Sequence, residues 1–318
     1  MEFTTMPFKL KYTLTHIFFS LSLSIVNAQF TYQTLNIEYD SGWTFKNLTL
    51  IPIRFKGEGV PNEFKGKNII TLEEGLKQGK LKVKEFYFEN DATIRILKVD
   101  NKSNDYVWVK DGEMLSGGKQ DRIIAESKII NPKESDQFLD VFCIEQYRWS
   151  KHAKLFKYAG NADESLKKIM DVSNQQQLIW NDIDSRYATN KDQEGSGSFL
   201  NIKKDSILTD TAYLHFFNNK LQKSDSMYAG FMAFTDTAII GCEVFASNSL
   251  TLMCFNSMLE GWAKIAITKG KKPNMPLKKL EKYTDQLFWD EDRQQKFLSK
   301  HGKAFIFGKK VFHIVAHN

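Results

Sequence analysis

Cysteine is scarce, and Cys143, Cys242 and Cys254 are the whole complement. An odd count without metal-like spacing excludes a disulfide framework. Cys143 lies in the alternating run Val141-Phe142-Cys143-Ile144-Glu145, and Cys254 on the apolar face of a helix, so each reads as a small core residue. A single disulfide stays open in an oxidising compartment. The histidines show no zinc-type pairing either, since His152, His215, His301, His313 and His317 are scattered. No metal or cofactor is therefore expected. No repeat of roughly 20 to 50 residues is visible, which argues against a solenoid or a propeller. Nor does any apolar run after Ala28 reach the roughly 20 residues that a membrane-spanning helix needs, so no membrane span is expected.

What is present begins with a leader. Lys9 and Lys11 precede an apolar run from Leu14 to Val26, followed by Val26-Asn27-Ala28, which is the layout of a signal peptide. Cleavage after Ala28 leaves Gln29 first, and with a glutamine there in place of a cysteine no lipid anchor is expected on that residue. Met6 gives a more ordinary start than Met1. The expected location is the periplasm or outside the cell. Composition is that of an ordinary globular chain, 42% hydrophobic and 26% charged. Net charge is +6, and much of the excess sits in Lys269–Lys279, KGKKPNMPLKK, which reads as a solvated linker. No aromatic residue interleaves with these lysines, so no nucleic-acid partner is expected. Asn47-Leu48-Thr49 and Asn101-Lys102-Ser103 match the glycosylation triplet.

From Gln29 to about Glu145 the chain reads as strands. Val83, Glu85 and Tyr87 alternate with Lys84, Phe86 and Phe88, and Ile94, Ile96, Val99, Tyr106 and Trp108 lie in similar runs. The turn Asp100–Asp105 predicts a hairpin between two of them. Thr71-Leu72-Glu73-Glu74 is a capping box and Gly79 a C-terminal stop, which predicts one short helix over Leu72–Gln78. After Glu145 the period lengthens. Ser173 with Gln176 predicts the cap of a helix carrying Ile179, Ile183 and Tyr187, and Tyr213, Phe216, Phe217 and Leu221 mark another. Gly195-Ser196-Gly197-Ser198 reads as a flexible connection between them. Ala229–Phe234 and Ala238–Phe245 read as a hairpin, Ser247 or Asn248 caps a long amphipathic helix, and Ala304–Ile314 is a last hairpin. Strands first and helices later predict an α+β fold, with an antiparallel, sandwich-like β-rich unit ahead of a mixed half. The expected divisions are a leader over 1–28, the β-rich half over 29–160, the helix and hairpin half of the same domain over 161–268, and the lysine-rich linker with the C-terminal hairpin over 269–318.

The densest polar segment is Asp111–Arg122, DGEMLSGGKQDR, placed after a strand. Gly117 and Gly118 let backbone amides approach a ligand, and Lys119, Gln120 and Arg122 add side-chain donors, a chemistry that suits an anion. It is no Walker loop, because Gln120 replaces the hydroxyl and no helix follows. The competing reading is a structural turn with a Glu113–Arg122 ion network. A second patch, Glu145-Gln146-Tyr147-Arg148-Trp149, joins a carboxylate, a guanidinium and two aromatic rings. An exposed Trp149 could stack on a base or sugar with Arg148 beside a phosphate, or Trp149 could plug the junction of the two halves.

Together the two patches resemble the ARG and rhodanese-phosphatase-superfamily-associated family, whose members carry similar D-G-E-x-L-x-G-x-K-Q-x-R and V-x-C-V-E-x-x-R-W motifs. Supporting similarity runs from Asn47 to about Ile267, with the leader and the lysine-rich C-terminal segment as departures. The family is named for gene neighbourhoods with ADP-ribosylglycohydrolases and phosphatases, so the resemblance implies a link to NAD-derived or ADP-ribose metabolites. The reading that follows is a binding module for an anionic or polyhydroxylated small molecule. Its candidate site is Glu113, Gly117, Gly118, Lys119, Gln120, Arg122, Glu145, Arg148 and Trp149. The alternatives are a hydrolase with Glu113 or Glu145 as general base, and a structural or interaction protein of the envelope.

Overall fold

The computed structural model describes residues 30–57, 66–88, 91–151, 154–190, 196–202, 211–223 and 227–318. The expected leader with its cleavage point, His152 and Gly195 lie outside them. The chain opens with β1 (Leu35–Ile37), β2 (Trp43–Phe45), β3 (Leu48–Phe55), β4 (Ile69–Thr71) and α1 (Leu72–Lys77). Eight strands follow: β5 (Leu81–Phe88), β6 (Asp91–Asn101), β7 (Tyr106–Val109), β8 (Glu113–Gly118), β9 (Arg122–Ile124), β10 (Lys128–Ile130), β11 (Gln137–Cys143) and β12 (Lys154–Asn161). Three helices come next, α2 (Glu164–Ser173), α3 (Gln176–Asn190) and α4 (Thr211–Gln222). Then come β13 (Tyr228–Thr235), β14 (Ala238–Phe245), α5 (Asn248–Thr268), α6 (Leu277–Phe288), α7 (Glu291–His301), β15 (Gly302–Phe307) and β16 (Lys310–His317).

The fold is α+β with a strand-rich N-terminal region, as the order of periodicities predicts. Its strands divide among three sheets. The largest is antiparallel, in the order β1-β3-β13-β14-β16-β15, with β2 sharing one edge of β3 with β1. The first strands of the chain thus share a sheet with the last ones, joined through β13 and β14. A second antiparallel sheet, β12-β8-β9-β11-β6-β5, curls until its edge strands β5 and β12 lie against each other, making a half-barrel. A small sheet, β10-β7-β4, joins them.

The periodicities explain the packing. Alternate residues Leu81, Val83, Leu97, Val99, Leu139 and Val141 point into the half-barrel, where Leu72 of α1 joins them. The other face of the curled sheet offers Met114, Ile123 and Phe142 to Leu166 and Met170 of α2 and to Ile179 and Ile183 of α3. β13 is buried at every residue and β14 at all but one, as strands covered on both faces are. The Leu250, Cys254, Met258 and Trp262 stripe of α5 belongs to that core together with Leu280 and Leu287 of α6. All three cysteines are free and buried.

The capping box of α1 is formed: Thr71 Oγ1 accepts from the Glu74 amide, and Glu74 accepts from the Thr71 amide. Such a cap stabilises by about 1 kcal/mol. Four expectations are corrected. The Asp100–Asp105 turn joins no hairpin, because β6 pairs with β5 and β11 while β7 pairs with β4 and β10. The buried Asn101 side chain closes that turn by donating to the carbonyls of Asp105 and Asn131, so its glycosylation triplet is sealed in the fold. Ser173 ends α2, and Asn174 turns left-handed behind it. The helix carrying Ile179, Ile183 and Tyr187 is α3, which does start at Gln176, and the unforeseen α2 ahead of it is capped by Asp163, whose carboxylate accepts from the Leu166 amide. Finally, the tail of the expected linker, from Leu277, enters α6, where Lys278 and Lys279 sit in the first turn.

Candidate functional site

The Asp111–Arg122 motif does not make one site but feeds two. Its second half lies at the mouth of the half-barrel, where β8 ends beside β5 and β12. Gly117 and Gly118 adopt φ of 122° and 53°. At Gly118 a Cβ would lie 2.1 Å from the Phe156 ring and 2.5 Å from Glu85 Oε1, so glycine is required twice over.

Arg148 ties this turn together. Its Nε donates to Glu145 Oε1 at 2.8 Å, and Nη1 to the carbonyls of Gly118 and Lys119 at 3.0 and 3.2 Å. Its Nη2 donates to the Gly117 carbonyl at 3.1 Å and to Asp121 Oδ1 at 3.0 Å. The loop amides are engaged as well. Gly117 N–H goes to Asp121 Oδ1, Lys119 N–H to Glu85 Oε1 at 2.6 Å, and Asp121 N–H to Glu145 Oε2 at 2.9 Å. The protein's own carboxylates therefore occupy these amides, and carboxylates and carbonyls together occupy the Arg148 guanidinium. Burial alone would raise the Glu145 carboxyl, but the Arg148 guanidinium, a hydrogen bond from Ser196 and the Asp121 amide outweigh it and hold it below the usual carboxylate range.

Beneath the turn lies Arg122, with no exposed surface. Its Nη1 donates to the Gln120 carbonyl and Gln120 Oε1, both at 3.3 Å, and its Nη2 stands 3.6 Å from Glu85 Oε2. Arg122 Nε and Nη2, and Glu85 Oε2, have no hydrogen-bond partner among the described residues. The expected Glu113–Arg122 network is not formed. The β8–β9 register sets Leu115 opposite Arg122, which leaves Glu113 two residues further along, and Glu85 reaches in from β5 instead. Above the turn, the Lys119 ammonium lies 4.8 Å from the Trp149 ring centre and 5.8 Å from that of Tyr87. Trp149 is 48% exposed and Tyr87 49%, so Trp149 plugs no junction.

The first half of the motif turns inward. Glu113 accepts from the Lys110 amide at 2.8 Å, and burial pushes its carboxyl up to about 8. Next to it, Lys110 and Lys167 converge on Glu243 of β14, with Nζ–Oε distances of 3.0 and 2.8 Å. Lys167 also stands 3.4 Å from Asp111, and Asp111 accepts from Ser127 Oγ at 2.8 Å. A Cβ on Gly112, at φ 81°, would meet the Lys167 side chain at 2.7 Å. His313 lies between the Phe245 and Phe305 rings, 4.3 and 5.1 Å away, with its Nδ1 3.0 Å from Ser127 Oγ. Burial lowers its pKa, outweighing the pull of Glu243 and Asp111. His317 is the opposite case. Burial would lower it, but Glu164 at 2.6 Å and Asp171 at 2.9 Å raise it to about 9.

Sequence reasoning missed Glu85, Asp121 and Ser198 at the mouth, and Lys110, Lys167, Glu243, His313 and His317 inside. Signals existed for some of them. Glu243 is the lone charge in the apolar run Ala238–Phe245, and His313 and His317, four apart on a strand, share a face. Ser198, expected in a flexible connection, is buried and donates to Asp121 Oδ2 at 2.7 Å. Gln176, expected as a cap, pairs with both backbone groups of Cys143. A groove of about 690 Å³ runs along α4, lined by Phe45, His215, Phe216 and Lys220 among others, and shares no residue with the motif. Among the described residues no helix is long and apolar enough to cross a membrane.

A family model, the ARG and Rhodanese-Phosphatase-superfamily-associated Protein domain, matches residues 36–314. The match extends well past Ile267, so the C-terminal segment expected as an extension falls within the family domain. No curated protein and no solved structure matches the chain.

Proposed function

Because the chain belongs to the ARG and Rhodanese-Phosphatase-superfamily-associated Protein domain family over nearly its whole length, we propose that it is an exported module binding an anionic or polyhydroxylated small molecule. The ligand meets the rim of the half-barrel, formed by Tyr87, Lys119 and Trp149. One observation carries this reading: two half-exposed aromatic rings converge on one ammonium group above a turn whose own hydrogen bonds hold it rigid. Glu145, Arg148, Gly117, Gly118 and Gln120 shape the rim from below. The gene-neighbourhood link makes ADP-ribose-like metabolites natural members of a test panel. A thermal-shift screen of nucleotides, ADP-ribose, sugar phosphates and neutral sugars tests it, since a ligand at 100 times its Kd stabilises by about 2.7 kcal/mol. A panel without a single shift contradicts the reading. Export is tested separately, by sequencing the N-terminus of the chain recovered outside the cytoplasm, which should begin at Gln29.

A second reading, a hydrolase, draws support from Glu113, whose carboxyl titrates near neutral pH where a general base or acid works. Glu145, held ionised by Arg148, lacks that property. Glu113→Gln should abolish any hydrolysis of the panel compounds while leaving their binding at the rim unchanged.

A further inference from the structure

The chemistry of the mouth distinguishes between the two ligand classes, and we propose that the rim takes an uncharged carbohydrate. This rests on the rim being a binding surface. Charge is the first observation. Arg122 and Arg148 pair with Glu85, Asp121 and Glu145, and the Lys119 ammonium stands above that cluster against the two rings. Three cations against three anions leave no surplus field to draw in a phosphate or carboxylate. An anion would also have to displace carboxylates that already hold the Gly117 and Lys119 amides and the Nε and Nη2 of Arg148, whose Nη1 is taken by backbone carbonyls.

The second observation is the pair of half-exposed rings, Tyr87 and Trp149, whose faces match the apolar face of a pyranose.

The test is calorimetric titration of the full chain with maltotriose, cellotriose and chitotriose, and in parallel with glucose 6-phosphate and ADP-ribose, at low and high salt. The expected result is that a neutral trisaccharide binds with an affinity that changes less than about twofold with salt. Trp149→Ala should weaken it by about tenfold or more. Binding of the phosphorylated compounds alone, lost with salt and with Lys119→Gln, overturns the carbohydrate assignment and leaves the rim as a binding surface. Sugar binding indifferent to both Trp149→Ala and Tyr87→Ala also overturns it. Binding by none of the five removes both proposals.

Discussion

The two polar clusters fed by the Asp111–Arg122 motif differ in what surrounds them. At the mouth, Arg148 keeps a third of its side chain exposed, and the cluster supports an accessible rim of rings and one ammonium. Inside, Lys110, Lys167, Asp111, Glu243 and His313 are almost wholly buried and link β14 and β16 of the largest sheet to α2 and to the turn before β8. The same residue types therefore do different work according to desolvation. A buried charge holds the layers in one arrangement because its loss strands a partner, whereas an exposed one is free to meet a ligand. A single sequence motif can serve both ends because strand β8 runs from the interior to the mouth.

Breaking the interior cluster should have the largest effect. Glu243→Ala leaves Lys110 and Lys167 buried without their shared carboxylate and should cost about 3 to 5 kcal/mol in urea unfolding. Arg148→Ala should cost about 2 to 3 kcal/mol, because three carbonyls and two carboxylates lose their donor at a site that water partly reaches. A cost under half a kcal/mol there would mean that the turn holds itself. Glu113 sharpens the comparison with the opposite sign. Its carboxyl titrates at 4.5 unfolded and about 8 folded, so the native state holds the extra proton between those values. The stability from that proton is complete below pH 4.5 and is lost as pH rises through 8. Glu113→Gln should therefore stabilise the protein on the order of 2 kcal/mol at neutral pH and flatten the slope over that window. A stability curve unchanged in slope would count against the raised carboxyl.

Much of the local structure was legible in the sequence: the capping box at Thr71, the hairpins around Asp236 and Gly308, the stripe of α5, and the α+β order of periods. These are signals carried by residues close in sequence. The partners of the motif were not legible, because Glu85, Lys167, Glu243 and His313 come from elements far apart in the chain that only sheet order brings together. The Asp100–Asp105 turn shows the same limit. Its composition announces a reversal but not which sheet the next strand joins. The glycine turn stands out in the sequence as a polar constellation, yet its residues alone do not tell amides open to an anion from amides already given to Asp121 and Glu85. The resemblance to the family reached the right assignment and stopped short of the C-terminal strands, which lie within it.

At the mouth, the smallest expected effect on stability accompanies the largest on binding. Trp149 is half exposed and makes its ring contact with Lys119, so Trp149→Ala should shift unfolding by less than about half a kcal/mol. Measuring its affinity for whichever panel compound stabilises the wild-type chain tests the central claim most directly. The account predicts about a tenfold loss or more at an unchanged melting temperature. Full affinity in that variant would contradict the assignment of the rim as the binding surface.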